Sequence, residues 1–171
     1  ETPFGKDVLS LVTLEARESI SEVFDFDIEA TSSEAALDFD KALGKNCCVT
    51  YKTHDNKERH FNGILTGAEW LGKRAGLHHY RLRLQPWFAL LAYTSNCRFF
   101  QKMKVTDIIR KVFSDSGFSD FIFRTKEKYD DIEYCVQYRE TNFAFVCRLM
   151  ERYGIYYFFE HSKDKHEMVL A

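Results

Sequence analysis

The chain is poor in the features that mark several protein classes. Two prolines in 171 residues leave no Pro-rich linker. No apolar run is long enough to cross a bilayer as a helix. The longest uncharged stretch, Leu84 to Cys97, carries Gln85, Pro86, Thr94, Ser95 and Asn96, whereas a spanning helix needs about 20 apolar residues. Neither sign of charge prevails: 24 basic side chains stand against 26 acidic ones, a formal charge of −2, so no basic excess draws the chain to a polyanion. The five cysteines are an odd count without a C-x-x-C pair, and Cys47 adjoins Cys48. Free thiols in a reducing compartment fit this better than a disulfide framework. The start, Glu1-Thr-Pro-Phe-Gly-Lys-Asp7, lacks the basic flank and apolar stretch of a signal peptide. It also lacks an initiating Met, and the chain stops at Met168-Val-Leu-Ala171 inside a strand-like pattern, so both ends read as cut. No G-x-S-x-G, P-loop or G-x-G-x-x-G motif is present.

What the chain has in quantity is aromatic residues. Sixteen Phe, nine Tyr and two Trp make 16% of it, a composition that favours pleated, half-buried surfaces. A chain of this length buries roughly 70% of its unfolded surface, enough for a substantial core. In the first ninety or so residues, Phe24, Phe26 and Ile28 alternate with Asp25, Asp27 and Glu29. Tyr80, Leu82 and Leu84 alternate likewise with Arg81, Arg83 and Gln85. Period two with one oily face predicts strands. Val8–Glu15, Cys47–Thr53 and Phe61–Thr66 have strand length, while His54–Lys57 and Gly72–Gly76 read as hairpin connections. Leu37–Leu43 reads as one or two helical turns stopped by Gly44. Many short strands with tight turns predict an antiparallel barrel or sandwich.

After Asn96 the texture changes. Val105, Ile108, Ile109, Val112 and Phe113 fall at helical spacing, with Thr106 or Asp107 as the cap and Gly117 as the left-handed stop. A second helix is predicted over Asn142–Tyr153, with Phe143, Val146, Cys147 and Met150 as its apolar stripe and Gly154 at its end. Strand signals surround the two: Phe121–Arg124, the alternating Ile132, Tyr134, Val136 and Tyr138, then Ile155–Glu160 and Glu167–Leu170. The expected fold is therefore mainly β with an α+β part. An antiparallel barrel over 1–95 is followed by a mixed domain with two amphipathic helices over 96–171, and the boundary lies near residues 94–98.

Candidate chemistry is sparse. His161 and His166, with Glu160 and Glu167 beside them, would meet across a hairpin and offer zinc ligands, but a structural zinc normally takes four; a solvated turn is the plainer reading. His78 and His79 point to opposite faces of a strand. Asp130, Asp131 and Glu133, and Asp38 with Asp40, are carboxylate groups at turns, with nothing to desolvate them and separate their pKa values. Cys135 and Cys147 are nucleophile candidates by residue type alone. Arg81, Arg83, Arg98, Lys102 and Lys104 supply cations for a nucleic-acid face, yet period two puts Tyr80 on the opposite side from the arginines. Without a convergent polar cluster the residues read as a structural or assembly module, with a nucleic-acid-binding barrel or, further off, a hydrolase as alternatives.

One segment is specific enough to carry a resemblance. Cys135-Val-Gln-Tyr-Arg-Glu-Thr-Asn-Phe-Ala-Phe-Val-Cys-Arg-Leu-Met-Glu-Arg-Tyr-Gly-Ile-Tyr-Tyr-Phe-Phe-Glu-His161 resembles the hallmark stretch of the VgrG family, the spike proteins of type VI secretion systems. Phe61-Asn-Gly-Ile-Leu65, Tyr80-Arg-Leu-Arg-Leu-Gln-Pro-Trp87, Asn96-Cys-Arg-Phe-Phe-Gln101 and Val105-Thr-Asp-Ile-Ile109 resemble it in the same order. Asp131-Ile132 before Glu133-Tyr134, and Arg152-Tyr153 before Gly154, depart from the family pattern. The residues that match it are Cys135, Gln137, Tyr138, Arg139, Glu140, Phe143, Phe145, Arg148, Leu149, Gly154, Tyr156, Glu160 and His161. The resemblance implies a hub like that of a phage baseplate, whose barrel domains trimerise into a pseudo-six-fold ring matched to the hexameric Hcp tube. It further implies contact with baseplate proteins, no nucleic acid, no cofactor, metal or catalytic residue, and transient passage through a target membrane. Assembly would take place in the bacterial cytoplasm, followed by expulsion through the apparatus. This chain would supply the first tube barrel and the start of an α+β insertion.

Overall fold

The structure, a computed structural model, describes residues 1–5 and 7–171. The chain forms two compact units. The first comprises residues 1–19, 23–86 and 161–166; the second comprises 20–22, 87–160 and 167–171. Among the described residues no helix is long and apolar enough to cross a membrane.

The first unit is one curled sheet. Its strands are β1 (Ser10–Arg17), β2 (Asp25–Ser32), β3 (Asn46–Lys52), β4 (Glu58–Arg74) and β5 (Leu77–Gln85), with a single helical turn, α1 (Phe39–Ala42), between β2 and β3. The strand order is β1-β2-β5-β4-β3 and every ladder is antiparallel. Alternation sets the inner face: Phe26, Ile28 and Ala30 of β2 pair with Leu84, Leu82 and Tyr80 of β5, and all six are buried. On the other face Asp27 and Glu29 stand opposite Arg83 and Arg81, and Asp25 pairs with Arg83. β4 runs on where the sequence suggested a shorter strand. It pairs with β3 through Ile64 and with β5 from there on, with register shifts at Leu65/Gly67 and Trp70/Gly72. Such bulges bend a strand and strengthen its twist, so one strand serves two neighbours and the sheet curls. Gly63 marks the tightest point of the curl. A Cβ there would lie 3.0 Å from Leu84 Cβ and 3.1 Å from the Phe24 ring, so the wall closes up only where a side chain is missing.

The closed cylinder expected from the strand pattern is corrected to an open curl. β1 and β3 are the two edges and are not hydrogen-bonded to each other. The reason lies in direction. With five strands alternating, β1 and β3 run the same way, and antiparallel closure needs an even number.

The second unit begins with a 3₁₀ helix, Trp87–Tyr93, which the uncharged run Leu84–Cys97 did not reveal. Then follow β6 (Ser95–Met103), α2 (Val105–Asp115), β7 (Phe121–Phe123), β8 (Ile132–Thr141), α3 (Asn142–Tyr153), β9 (Tyr157–His161) and β10 (His166–Leu170). β6 and β8 form an antiparallel ribbon; β7-β10-β9 form a small sheet in which β7 is parallel to β10. α2 buries Val105, Ile108, Ile109, Val112 and Phe113. Its N-cap is Lys104, and no side chain caps it, so the caps expected at Thr106 and Asp107 lie inside the first turn. Its end has Gly117 at φ +85°, with Phe118 N–H on Phe113 O and Gly117 N–H on Ser114 O, the paired bonds of a Schellman stop. α3 is capped by the Thr141 hydroxyl, which accepts from Ala144 N–H, and closed by Gly154 at φ +69°. Its buried stripe is Phe145, Val146, Leu149 and Met150 with Asn142. This corrects the expected stripe, since Phe143 and Cys147 are half-buried flanks. An aromatic cluster fills this unit: Trp87 stacks on Phe118 at 4.8 Å and meets Phe113 edge-on at 5.0 Å, while Phe88 touches Phe143 at 4.8 Å and Tyr157 at 5.3 Å.

Candidate assembly surfaces

The matched segment Cys135–His161 holds an interior polar network. Gln137 and Asn142 are both buried. The Gln137 amide donates to Glu140 O at 3.1 Å and to Asn142 Oδ1 at 3.0 Å, and its own oxygen accepts from Arg98 Nε at 2.8 Å. Asn142 Oδ1 also receives Arg98 Nη2 at 3.2 Å and Asn96 Nδ2 at 3.3 Å. Asn142 Nδ2 faces the hydroxyls of Thr94, at 3.1 Å, and Ser116, at 3.3 Å. Arg98 reaches on to Asp115 at 3.2 Å. This side chain joins β6, β8, the end of α2 and the start of α3, and buried polar groups persist only when satisfied in this way. Burial lowers the Arg98 pKa, with Asp115 opposing the shift.

Outside that network Arg148 donates to Glu140 at 2.5 Å and to Val136 O at 3.1 Å, with its guanidinium over Phe145 at 5.3 Å. Arg139 is an extra residue in the β6–β8 ladder, at φ +50°, and its N–H meets Cys97 Sγ at 3.4 Å.

In the first unit His166 is buried and the His161 side chain is only 8% exposed, while the turn between them, Ser162–Lys165, is exposed as the solvated-turn reading expected. His166 Nδ1 lies 2.9 Å from Asn62 Oδ1, and His161 Nε2 lies 2.9 Å from Glu18 Oε1. Among the described residues no group of three or more His, Cys, Asp or Glu is placed to hold a metal ion. Four thiols are poor nucleophiles: burial pushes Cys47 and Cys147 up to about 11 and also raises Cys48 and Cys135, so these four stay protonated near neutral pH. The three arginines weighed for a nucleic-acid face, Arg81, Arg83 and Arg98, are already engaged with carboxylates. Arg81 lies 3.5–3.6 Å from Asp27, Glu29 and Glu69, and Arg83 pairs with Asp25 at 2.6 Å.

Two apolar surfaces stand out among the described residues. The first is the seam of the curl, an apolar groove of about 320 Å³ lined by Leu9, Leu11, Ile28, Ala30, Cys48, Leu82 and Leu84 among others. Glu1 lies at its β3 edge, donating its amine to Cys48 O at 2.6 Å and accepting Cys48 N–H at 3.0 Å. That exchange is the hydrogen-bonded pair of an antiparallel ladder. The second is the outer face of the β6–β8 ribbon, where Phe99 stacks on Tyr134 at 5.9 Å and Val136 and Tyr138 stand alongside, all exposed.

Residues 17–171 match the family model described as phage tail baseplate hub (GPD). The chain belongs to that family. It is 43% identical over all 171 residues to the type VI secretion system spike protein VgrG1b of Pseudomonas aeruginosa, strain PAO1, covering 23% of that protein. To VgrG1c of the same strain it is 44% identical over 171 residues, covering 24%. The baseplate-hub chain thus spans about a quarter of the length of these curated relatives. Its fold superposes on the Escherichia coli c3393 protein, a component of the type VI secretion system similar in structure to the T4 tail proteins gp27 and gp5. The TM-score is 0.89 at 26% identity, over 99% of this chain and 48% of that one.

In this baseplate-hub chain the motif residues do not gather into one cleft. Gln137 lies in the buried network, Cys135, Phe145 and Leu149 in the core, and Glu140 pairs with Arg148. Phe143 flanks the Phe88 ring, and Gly154 ends α3. Tyr138, Arg139 and Tyr156 are exposed, Glu160 pairs with Arg124 at 2.6 Å, and His161 lies in the first unit. Sequence reasoning missed the roles of Asn62 and Asn142, and placed Arg98 among the surface cations instead of in this network. A polar residue inside a strand or one place past a helix cap was the available signal.

Proposed function

We propose that this baseplate-hub chain is a building block of the type VI spike, a homotrimer that caps the Hcp tube, meets baseplate proteins and is driven through a target membrane. It assembles in the bacterial cytoplasm and is then expelled. The observation that carries the reading is 43–44% identity along the whole chain to type VI spike proteins. In this reading the first unit is the tube domain and the second an α+β insertion. The open curl becomes a barrel by accepting one further strand, antiparallel to both β1 and β3, from outside residues 1–171. The matched residues from Cys135 to His161 act by fixing the insertion's fold, not by holding substrate, cofactor or metal, and the work is mechanical, without bond chemistry. Excising these 171 residues from a spike gene that carries them, in a strain with an active apparatus, should abolish Hcp release into the medium. Undiminished release would contradict the proposal.

A further inference from the structure

We propose that the β4–β5 hairpin is one half of a contact between copies of this chain, and that the other half is the acidic segment 129–133 of a neighbouring copy. The inference rests on the homotrimer reading above and deepens it by assigning surfaces to the contact.

The hairpin is paired to its tip: Trp70 with Tyr80, Gly72 with His79, Lys73 with His78 and Arg74 with Leu77. Ala75 at φ +50° and Gly76 at φ +84° make the two-residue turn, the left-handed pair that keeps a hairpin tight. Leu71 is the extra residue at the register shift, so Trp70 and Lys73 lie on the face of Tyr80 and His78. That face is unfinished in the single chain. Trp70 is 59% exposed although Tyr80, across from it, is buried. His78 is buried 6.3 Å from the Trp70 ring, and its Nδ1 has no hydrogen-bond partner among the described residues, whereas buried polar groups normally find one. Lys73 and Arg74 are exposed and, among the described residues, make no ion pair. Further along β5, Arg81 is paired with carboxylates of its own sheet.

The acidic segment has the complementary deficit. The Tyr129 ring stands edge-on to Tyr153 of α3 at 6.2 Å, which anchors the segment and leaves Asp130, Asp131 and Glu133 exposed. Among the described residues none of these three makes an ion pair. Over residues 126–133 the four carboxylates stand against Lys126 and Lys128, a formal charge of −2.

The two halves are unlike, so the contact is heterologous: each copy gives its hairpin to one neighbour and takes a hairpin from the other. Contacts of this kind build closed rings where the rotation closes. Trp70 supplies the apolar anchor that such interfaces concentrate their energy on, while the charges choose the partner and set the register.

Sedimentation equilibrium of the 171-residue chain, taken up to about 1 mM, reads the contact. The wild type should associate in about 0.1 M salt and less so in about 1 M, where the Debye length falls from about 10 Å to about 3 Å. Lys73→Glu with Arg74→Glu should weaken association at least about tenfold, because like charges then face each other. Asp130→Lys with Asp131→Lys should do the same. All four substitutions in one chain restore opposite signs and should return association to the wild-type level. A wild type that stays monomeric, a one-sided variant that associates undiminished, or a four-substitution variant as weak as the one-sided ones would each overturn the proposal. Pairing through the open β1 or β3 edges would give the second of these outcomes. Should a one-sided variant fail to fold, Lys73→Gln with Arg74→Gln takes its place and should remove the salt dependence; an unchanged salt dependence overturns the contact. The spike reading is tested separately: Hcp release lost on excision, together with charge-blind association, would keep the spike and remove this contact.

Discussion

Asn142→Leu is expected to destabilise the second unit by about 3 kcal/mol or more. The substitution fits the space and removes the shared acceptor of Arg98, Gln137 and Asn96 and the donor to Thr94 and Ser116. Each buried group left without its partner costs about 1–3 kcal/mol, more when charged. Arg98 keeps Asp115 and the Gln137 oxygen, which bounds the loss. Asn142→Asp should lose less, because it retains the acceptor opposite a guanidinium. Trp87 is buried in this unit, so its fluorescence in a Trp70→Phe background follows the unfolding by urea. An Asn142→Leu midpoint equal to the wild type would show the network to be dispensable.

Leu11→Lys is expected to separate stability from assembly. Leu11 lines the seam yet is 52% exposed, and a substitution at such a site costs within about 0.5 kcal/mol. Melting of the 171-residue chain should therefore hardly change. If one more antiparallel strand closes the barrel, the same lysine is buried without a partner, at several kcal/mol. Because 1.4 kcal/mol is about tenfold in an equilibrium, Hcp release by a spike carrying Leu11→Lys should drop at least about tenfold, while Leu11→Ile stays active. Normal release by Leu11→Lys would leave the seam without a role in assembly.

Strand faces were legible because one side of each strand is buried. The alternation at Phe24, Phe26 and Ile28, and at Tyr80, Leu82 and Leu84, carries straight into the β2–β5 ladder. Closure was not legible: which strands end up at the edges depends on pairings far apart in sequence. The stripe of α2 follows its spacing, whereas that of α3 is turned about its axis, since Asn142 goes inward with its polar network. Phe88 and Leu91 escaped notice, and Trp87 entered only through the family resemblance, because a 3₁₀ helix lacks the 3.6-residue period. The His161–His166 hairpin shows how a rightly placed turn misleads about its flanks: Ser162–Lys165 is polar and exposed, while both imidazoles point inward to Asn62. The matched segment Cys135–His161 was legible as a family trait, and its physical content, the Gln137–Asn142–Arg98 network, came from the structure.

In the proposed assembly this chain forms wall segments of a ring matched to the Hcp tube. Cryo-electron microscopy of a spike trimer that carries it tests this most directly. The expected density is a pseudo-six-fold ring in which the curl of β1–β5 appears as a closed barrel, with one added strand between β1 and β3. A trimer whose ring excludes this chain, or leaves the groove at Leu11 and Cys48 open to solvent, would contradict it.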